Sequence, residues 1–491
     1  MRFTLNSLTV LEVLILTSVA FGDTIVPVGP VDGTWEVESS PYIVQGKVSV
    51  ADGNSLTIEP GVVIQFETDG LSVYGTLTAD GDVNNPIIFT SAADEPNLGD
   101  WKGIDVRHAS DCNLTHCVIE FASTGIRCDE SHPYIANCII QHNTYGIHVR
   151  AYASGCSGGF ANPTIMSCIV SENGKYGVWF SGTGSSWSGC TIPKTGTAEG
   201  TLSNCEISNN GCGIYLSAWD GHFANGSACP TIVKNRIFSN VDDGIRIAGD
   251  DPTTTRIEDN DIVENLGSGI RCTSTSSGPS ILYNLISLNS GEGVYNVNTH
   301  ATIEYNHIID NDANGIVTTD LKSLQKNGIF SNNLFQCMYQ GLTDQAAPSN
   351  DWGTSDSQEI DALIYDHFDD PNVGTLEYTP FQLIDDSKPT VVSVSPDDGD
   401  SDVSLDVVIQ LTFSENMRGS TLNTSTVMLS DGENIVLGKV IYSNGILEFV
   451  PDELLKGDTI YTLTLSSDIQ EATFLKNHID VYVTSFVTTN N

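Results

Sequence analysis

Residues 235–247 read NRIFSNVDDGIRI, residues 260–272 read NDIVENLGSGIRC, and residues 284–296 read NLISLNSGEGVYN. Each begins with Asn, has a second Asn five residues on and a Gly nine residues on, and then a branched apolar residue. The same letters occur at Asn204, Asn209, Gly213 and Ile214, and at Asn306, Asn311, Gly315 and Ile316. Repetition at a spacing in the twenties marks a stacked, quasi-one-dimensional array. Helical repeats need an apolar period of 3.6, and here the apolar residues alternate instead, as in Ile245-Arg246-Ile247, a strand signal. One repeat therefore reads as one coil of a parallel β-helix, with equivalent letters stacked roughly 4.8 Å apart. Asn suits a tight interior turn, because it tolerates left-handed backbone and its amide can bond its stacked neighbours. Gly suits the next corner, where a side chain would clash. The Ile/Val column fills the core. Fainter copies run outward: Asn332 with Gly341-Leu342 and Cys337 in the second Asn slot, Asn137 with Gly146-Ile147, His116 with Gly125-Ile126, and Ser167 with Gly177-Val178 one residue longer. Together they give nine coils between about Leu114 and Leu342.

Residues 23–106 are strand-like with other letters: Leu56-Thr57-Ile58, Val62-Val63-Ile64-Gln65-Phe66, Leu71-Ser72-Val73-Tyr74, Ile87-Ile88-Phe89, then Gly99-Asp100-Trp101-Lys102-Gly103-Ile104. This run resembles the opening coils of secreted bacterial right-handed β-helix proteins, the pectate-lyase-like superfamily in its broad sense. The resemblance covers residues from about 30 to 380 and implies an all-β, right-handed parallel β-helix. It implies no single activity, because that architecture carries lyases, hydrolases, epimerases and plain surface proteins. From 351 to 381, Ser355-Asp356-Ser357-Gln358 reads as a capping box. Ile360, Leu363, Ile364 and Phe368 follow at helical spacing, predicting a short helix over the last coil. Residues 388–491 hold short alternating strands separated by turns. There, Phe413-Ser414-Glu415-Asn416-Met417, Tyr461-Thr462-Leu463 and Phe486-Val487-Thr488 resemble a bacterial Ig-like domain of S-layer and secreted proteins, which implies a small β-sandwich serving as spacer or attachment module. The expected organisation is a signal peptide at 1–22, β-helix at 23–350, cap helix and linker at 351–387, and the sandwich at 388–491.

The 491 residues carry 62 acidic against 20 basic side chains, a formal charge of −42. Such a chain repels phosphate backbones, so nucleic acid is not expected as a partner. An acidic solvated surface and a saline or calcium-containing exterior both fit. Arg2, the apolar run Leu8 to Ala20 (interrupted by Glu12) and the small residues Ser18-Val19-Ala20 read as a secretory signal. No other stretch is long enough to span a membrane. A secreted or cell-surface monomer is expected. Of the 12 Cys, Cys117, Cys138, Cys168 and Cys205 follow the first repeat letter in four successive coils. They read either as disulfides between coils or as buried thiols. No Cys pairs with zinc-site spacing occur, so neither a structural metal nor a cofactor is required. Asp397, Asp398, Asp400 and Asp402 form an acidic turn that reads as a solvated loop or as a Ca2+ site.

The residue two after each coil Gly points outward. This column reads Arg127, His148, Trp179, Tyr215, Arg246, Arg271 and Tyr295, with Asp129 and Arg150 two residues further on. Insertions at 151–162, 181–200 and 217–229 share one slot, so they should lie side by side as one lobe. They hold Tyr152, Phe160, Trp187, Trp219, His222 and Phe223, together with Cys156, Cys190 and Cys229. Aromatic residues suit sugar rings and guanidinium forks suit carboxylates, so Arg127, His148, Trp179, Tyr215, Arg246, Arg271, Trp187 and Trp219 are the candidate binding residues. The opposing interpretation is that large outward side chains pack on one another, with Arg bonded to nearby acids. Asp129, Asp220 beside His222, and Asp242-Asp243 are the nearest candidate catalytic carboxylates, and none forms a recognisable catalytic set. Two functions stay open: an exported polysaccharide-binding β-helix, acting or not as a lyase or glycoside hydrolase, and a structural or adhesin-like surface protein whose β-helix is a stalk.

Overall fold

The computed structural model describes residues 23–109, 111–153, 157–184, 194–220, 224–249, 255–273, 277–383, 387–443, 445–473, 475 and 477–490. The expected signal segment, Trp187, His222, Phe223, Cys156 and Cys190 lie outside them. Each coil crosses three parallel sheets in turn, as in Cys117–Glu120, Thr124–Asp129 and Tyr134–Ala136. The described strands number 13, 14 and 12 in the first, second and third sheets. The expected core column is one register row of the second sheet: Ile104, Ile126, Ile147, Val178, Ile214, Ile245, Ile270, Val294 and Ile316. Every member is fully buried. Gly244 shows why each such strand opens on glycine: a Cβ there would lie 2.7 Å from the Gly269 carbonyl oxygen and 2.9 Å from Asn265 Nδ2.

Two amide ladders run along the corners. Between the first and second sheets stand Asn143, Asn173, Asn210, Asn240, Asn265, Asn289, Asn311 and Asn332. Asn143 Oδ1 accepts from the Ala122 N–H at 2.8 Å; from Asn173 on, each Oδ1 accepts both the backbone N–H and the side-chain amide of the Asn one coil earlier, as Asn265 does from Asn240 at 3.1 and 2.9 Å. Gln336 ends this ladder, accepting from Asn332 with its own Oε1. Between the third and first sheets stand Asn235, Asn260, Asn284, Asn306, Asn327 and Asn350. Upstream the four Cys occupy the same column as buried thiols. The Cys138 thiol reaches the carbonyls of Ala136 at 3.3 Å and Leu114 at 3.4 Å. Asn260 Nδ2 makes the equivalent pair of bonds to Glu258 and Ile232, both at 3.0 Å. Burial raises the Cys138 pKa, so the thiol keeps its proton.

The repeat letters need three corrections. The left-handed residue and the ladder residue are separate, consecutive positions. Asn204 and Asn209 have φ of 53° and 55°, and Cys205 and Asn210 after them are the ladder members. The left-handed position accepts Lys234, Asp259, Glu264 and Leu288 elsewhere, so it is no Asn signature. The last copy has a different phase: Asn332 belongs to the other ladder, Cys337 pairs in register with Ile316, and Asn327 holds the first Asn slot. In the cap, the helix is Ser357–Leu363 and Asp356, rather than Ser355, accepts the capping bond from the Gln358 N–H. Ile364 begins a short strand paired with Cys337–Tyr339, and Phe368 is exposed.

The insertions do form one lobe, a small parallel sheet of Phe160–Ala161, Lys194–Ala198 and Ala224–Ala228. It packs backbone to backbone on the second sheet: a Cβ on Gly226 would meet the Gly182 and Trp219 carbonyls at 2.4 and 2.6 Å. The C-terminal unit has two four-stranded antiparallel sheets around Leu411, Leu429, Phe449, Leu463 and Phe486. Its buried Arg418 bonds Glu258 at 2.7 Å and Asp259, and lies 4.3 Å over the Tyr283 ring. The sandwich therefore touches the corner between the third and first sheets. In its acidic turn, Asp398 accepts from the Ser485 N–H and Asp400 from the Asp397 N–H. No group of three or more His, Cys, Asp or Glu among the described residues is placed to hold a metal ion. No described helix is long and apolar enough to cross a membrane.

Asn260→Leu removes the acceptor for Asn235 and two donors to backbone carbonyls. It is expected to cost about 1–3 kcal/mol, read as a lower midpoint in chemical denaturation; an unchanged midpoint would count against the ladder. The sandwich has its own core, so an isolated 388–491 fragment is expected to unfold in one cooperative transition.

Candidate functional site

The outward column of the second sheet is one continuous register row. It runs Ser72, Asp105, Arg127, His148, Trp179, Tyr215, Arg246, Arg271 and Tyr295. Six of the eight sequence-derived site residues thus stand in consecutive coils. Trp219 stands apart, four residues beyond Tyr215 on the strand Cys212–Trp219, facing the same side with 65% of its surface exposed. Trp187 lies outside the described residues. Where the row meets the lobe, the strands Tyr145–Tyr152, Tyr176–Thr183 and Cys212–Trp219 each lengthen to eight residues. This adds the outward columns Arg150–Ser181–Ser217 and Tyr152–Thr183–Trp219.

The middle of the row is aromatic. The His148 and Trp179 rings stack in parallel with centroids 3.8 Å apart, and Tyr215 sits 6.2 Å beyond Trp179 at 38°. Tyr145 and Tyr176 flank Trp179 at 5.6 Å. Stacking along the helix axis covers one face of Trp179 with His148 and turns ring edges toward solvent. Two hydroxyls pin the rings: Trp179 Nε1 donates to Ser217 Oγ at 2.9 Å, and His148 Nε2 lies 2.8 Å from Ser181 Oγ. His148 is buried, and that burial, with Arg127 and Arg150 nearby, lowers its pKa to about 3. Burial pushes the Tyr176 and Tyr215 phenols up, so both remain hydrogen-bond donors.

The arginines divide into two groups. Toward the C-terminus, Arg246 Nε donates to Asp243 at 2.7 Å and its Nη2 to Asp242 at 2.6 Å. Arg271 Nε donates to Asp243 at 3.0 Å, and Glu292 lies 3.8 Å from its Nη2. Asp243 is fully buried and also accepts from the Ser268 N–H. Two guanidiniums here face three carboxylates, and their main partner is interior. Toward the N-terminus, Arg107 binds Asp105 at 2.6 Å, but Arg127 is 3.9 Å from Asp105 and Arg150 is 3.7 Å from Asp129. Those two distances exceed a hydrogen bond. Arg127 Nε and Asp105 Oδ1 are buried with no hydrogen-bond partner among the described residues. The sequence reading missed Asp105 and Arg107, although Gly103-Ile104 carries the coil letters and places them two and four residues after the glycine.

The face has an aromatic edge, hydroxyls and two under-bonded guanidiniums, so it can contact sugar rings and an anion. Its carboxylates Asp105, Asp129, Asp242 and Asp243 are all ion-paired with arginine.

Asp243→Asn should leave Arg246 and Arg271 without their shared carboxylate and cost about 1–3 kcal/mol, measured by denaturant midpoint. His148 gives a second expectation. Its folded pKa of about 3 lies below the ordinary value near 6.5, so the unfolded chain binds the extra proton first. Stability should therefore be full above about pH 6.5 and fall as the pH drops toward about 3. His148→Asn should flatten that part of a stability–pH profile.

Residues 385–488 match the family described as Bacterial Ig-like domain. No curated protein matches the chain. Similar solved structures include the S-layer protein rSbsC(31-844), at TM-score 0.18 and 15% identity over 21% of this chain. The chain covers 14% of that structure and 24% of the N-terminal part of SbsC. The periplasmic alginate epimerase AlgG gives TM-score 0.37 and 12% identity, covering 70% of this chain and 77% of that one. The A-module of the Azotobacter vinelandii mannuronan C-5 epimerase AlgE6 gives 0.32 and 13%, covering 74% and 91%. Residues 42–192 and 194–347, more than half of the chain, match the family described as Right handed beta helix region, and the chain belongs to that family.

Proposed function

We propose that this is an exported β-helix protein that binds polysaccharide along the outward face of its second sheet. One observation carries the reading. The three lengthened strands, the row His148–Trp179–Tyr215 and the exposed Trp219 occupy the same coils and the same face. Long outward rows of this kind match the repeat of an extended polymer better than they match a compact ligand. The contact of Arg418 with the β-helix, at Glu258, Asp259 and Tyr283, lies on the corner away from that face. Trp219 is the principal sugar contact, because Trp179 has one face already covered. Export rests on the apolar leader at 8–20 and on the acidic composition. The ion-paired state of the carboxylates favours binding over hydrolysis, and the stalk reading remains the competitor.

A glycan array followed by calorimetry on the best ligand tests this. Trp219→Ala is expected to weaken binding by about 1–3 kcal/mol, and Trp179→Ala by less. Affinity unchanged in the Trp179/Trp219 double variant would leave the stalk reading in front. Release of reducing sugar or unsaturated product from a polysaccharide panel would instead add catalysis to the binding role.

A further inference from the structure

At the N-terminal end of the face, three successive coils and two outward columns make a lattice of six positions. The coils contribute Asp105 with Arg107, Arg127 with Asp129, and His148 with Arg150, in register in both directions. Charges of opposite sign alternate along each strand and down each column, with one exception. The position held by His148 has Arg127 before it in its column and Arg150 beside it on its strand, so the alternation requires an anion there. An imidazole cannot supply one, and this one is held neutral by burial and by the same two guanidiniums. The next acid along the strands, Glu130, has passed the corner and lies 3.4 Å from His108. Three guanidiniums therefore share two carboxylates, in a chain whose formal charge is −42. Two arginines beside the break are under-bonded: Arg127 and Arg150 have their carboxylates at 3.9 and 3.7 Å, and Arg127 Nε is buried without a hydrogen-bond partner among the described residues, as is Asp105 Oδ1 one coil earlier.

We infer that the surface over His148, between Arg127 and Arg150, is an anion subsite that takes a carboxylate or sulfate group of an acidic glycan. This rests on the polysaccharide-binding reading and adds which end of the row reads charge. Arg246 and Arg271 have no such role, since Asp243 already holds both. The bound anion completes the alternation, accepting charge-assisted hydrogen bonds from the two guanidiniums. Ser181 and Trp179, one coil on, then lie under the sugar that carries it.

The first experiment needs no glycan. His148→Asp and His148→Asn both lose the ring stack and differ only in charge. If the lattice lacks an anion, His148→Asp melts a few degrees above His148→Asn at neutral pH, and the gap closes in molar salt. Equal melting, or a lower value for His148→Asp, overturns the inference. The second experiment compares a polyuronate, its carboxyl-reduced derivative and a sulfated galactan. Binding of the polyuronate or the galactan that exceeds binding of the reduced polymer about tenfold or more, and that disappears in Arg127→Gln/Arg150→Gln, supports the subsite and identifies its anion. Equal binding of the reduced polymer overturns the subsite and leaves the polysaccharide reading intact. Failure of all three polymers counts against the polysaccharide reading, and the two melting curves then decide the lattice alone.

Discussion

Asparagine amides line two buried corners along most of the coils of this chain. A buried turn exposes backbone N–H and C=O groups that no strand ladder can reach, and leaving them unpaired costs more than any single contact returns. Asn answers with an acceptor aimed at the coil before and donors aimed at carbonyls of two coils, so each ladder residue serves its neighbour and is served by the next. Asn260, for example, accepts from the N–H and the amide of Asn235 and donates to Ile232, Glu258 and Asn284. The requirement is for a small donor in a dry corner, so a thiol substitutes. The Cys column spans the same carbonyls with longer, weaker bonds and passes directly into the Asn column where the Cys205 backbone N–H donates to Asn235 Oδ1.

Once the corners are dry, the outward faces are free to vary, and the second sheet uses that freedom unevenly. Its C-terminal arginines are tied to an interior aspartate and behave as part of the wall. Two of its N-terminal arginines, Arg127 and Arg150, stand 3.9 and 3.7 Å from their acids. Between them, the aromatic rows trade solvent-facing surface for stacking on one another. The lobe then displaces the exposed aromatic to Trp219, at the far end of the widened strand.

The period and the core were legible because both are strict. A coil of any length must return Gly and Ile to the same place, so Gly244-Ile245 and Gly269-Ile270 announce themselves. The outward row followed from counting two residues past each glycine. The phase of the asparagines was less legible, because Asn can also occupy the left-handed position just before a ladder site. Asn204 and Asn209 do so, and coil-length variation hides the slip. Asp105 and Arg107 went unread because their coil has Gly103-Ile104 without a pair of asparagines to flag it. Ring orientation was not legible at all. Alternation places Trp179 outward, but whether it offers a face or an edge depends on His148 one coil away.

The charge lattice gives the coil array a parity that its interior lacks. Deleting a coil from the Asn ladder or the Ile column brings like onto like in the interior. Deleting the coil of Arg127 and Asp129 would stack Arg107 on Arg150. Duplicating it would set Arg on Arg and Asp on Asp. Drift in coil number, the easiest route by which a repetitive gene changes, is therefore open in single steps along most of this molecule. Across residues 104–150, loss or duplication of the middle coil sets like charges on one another.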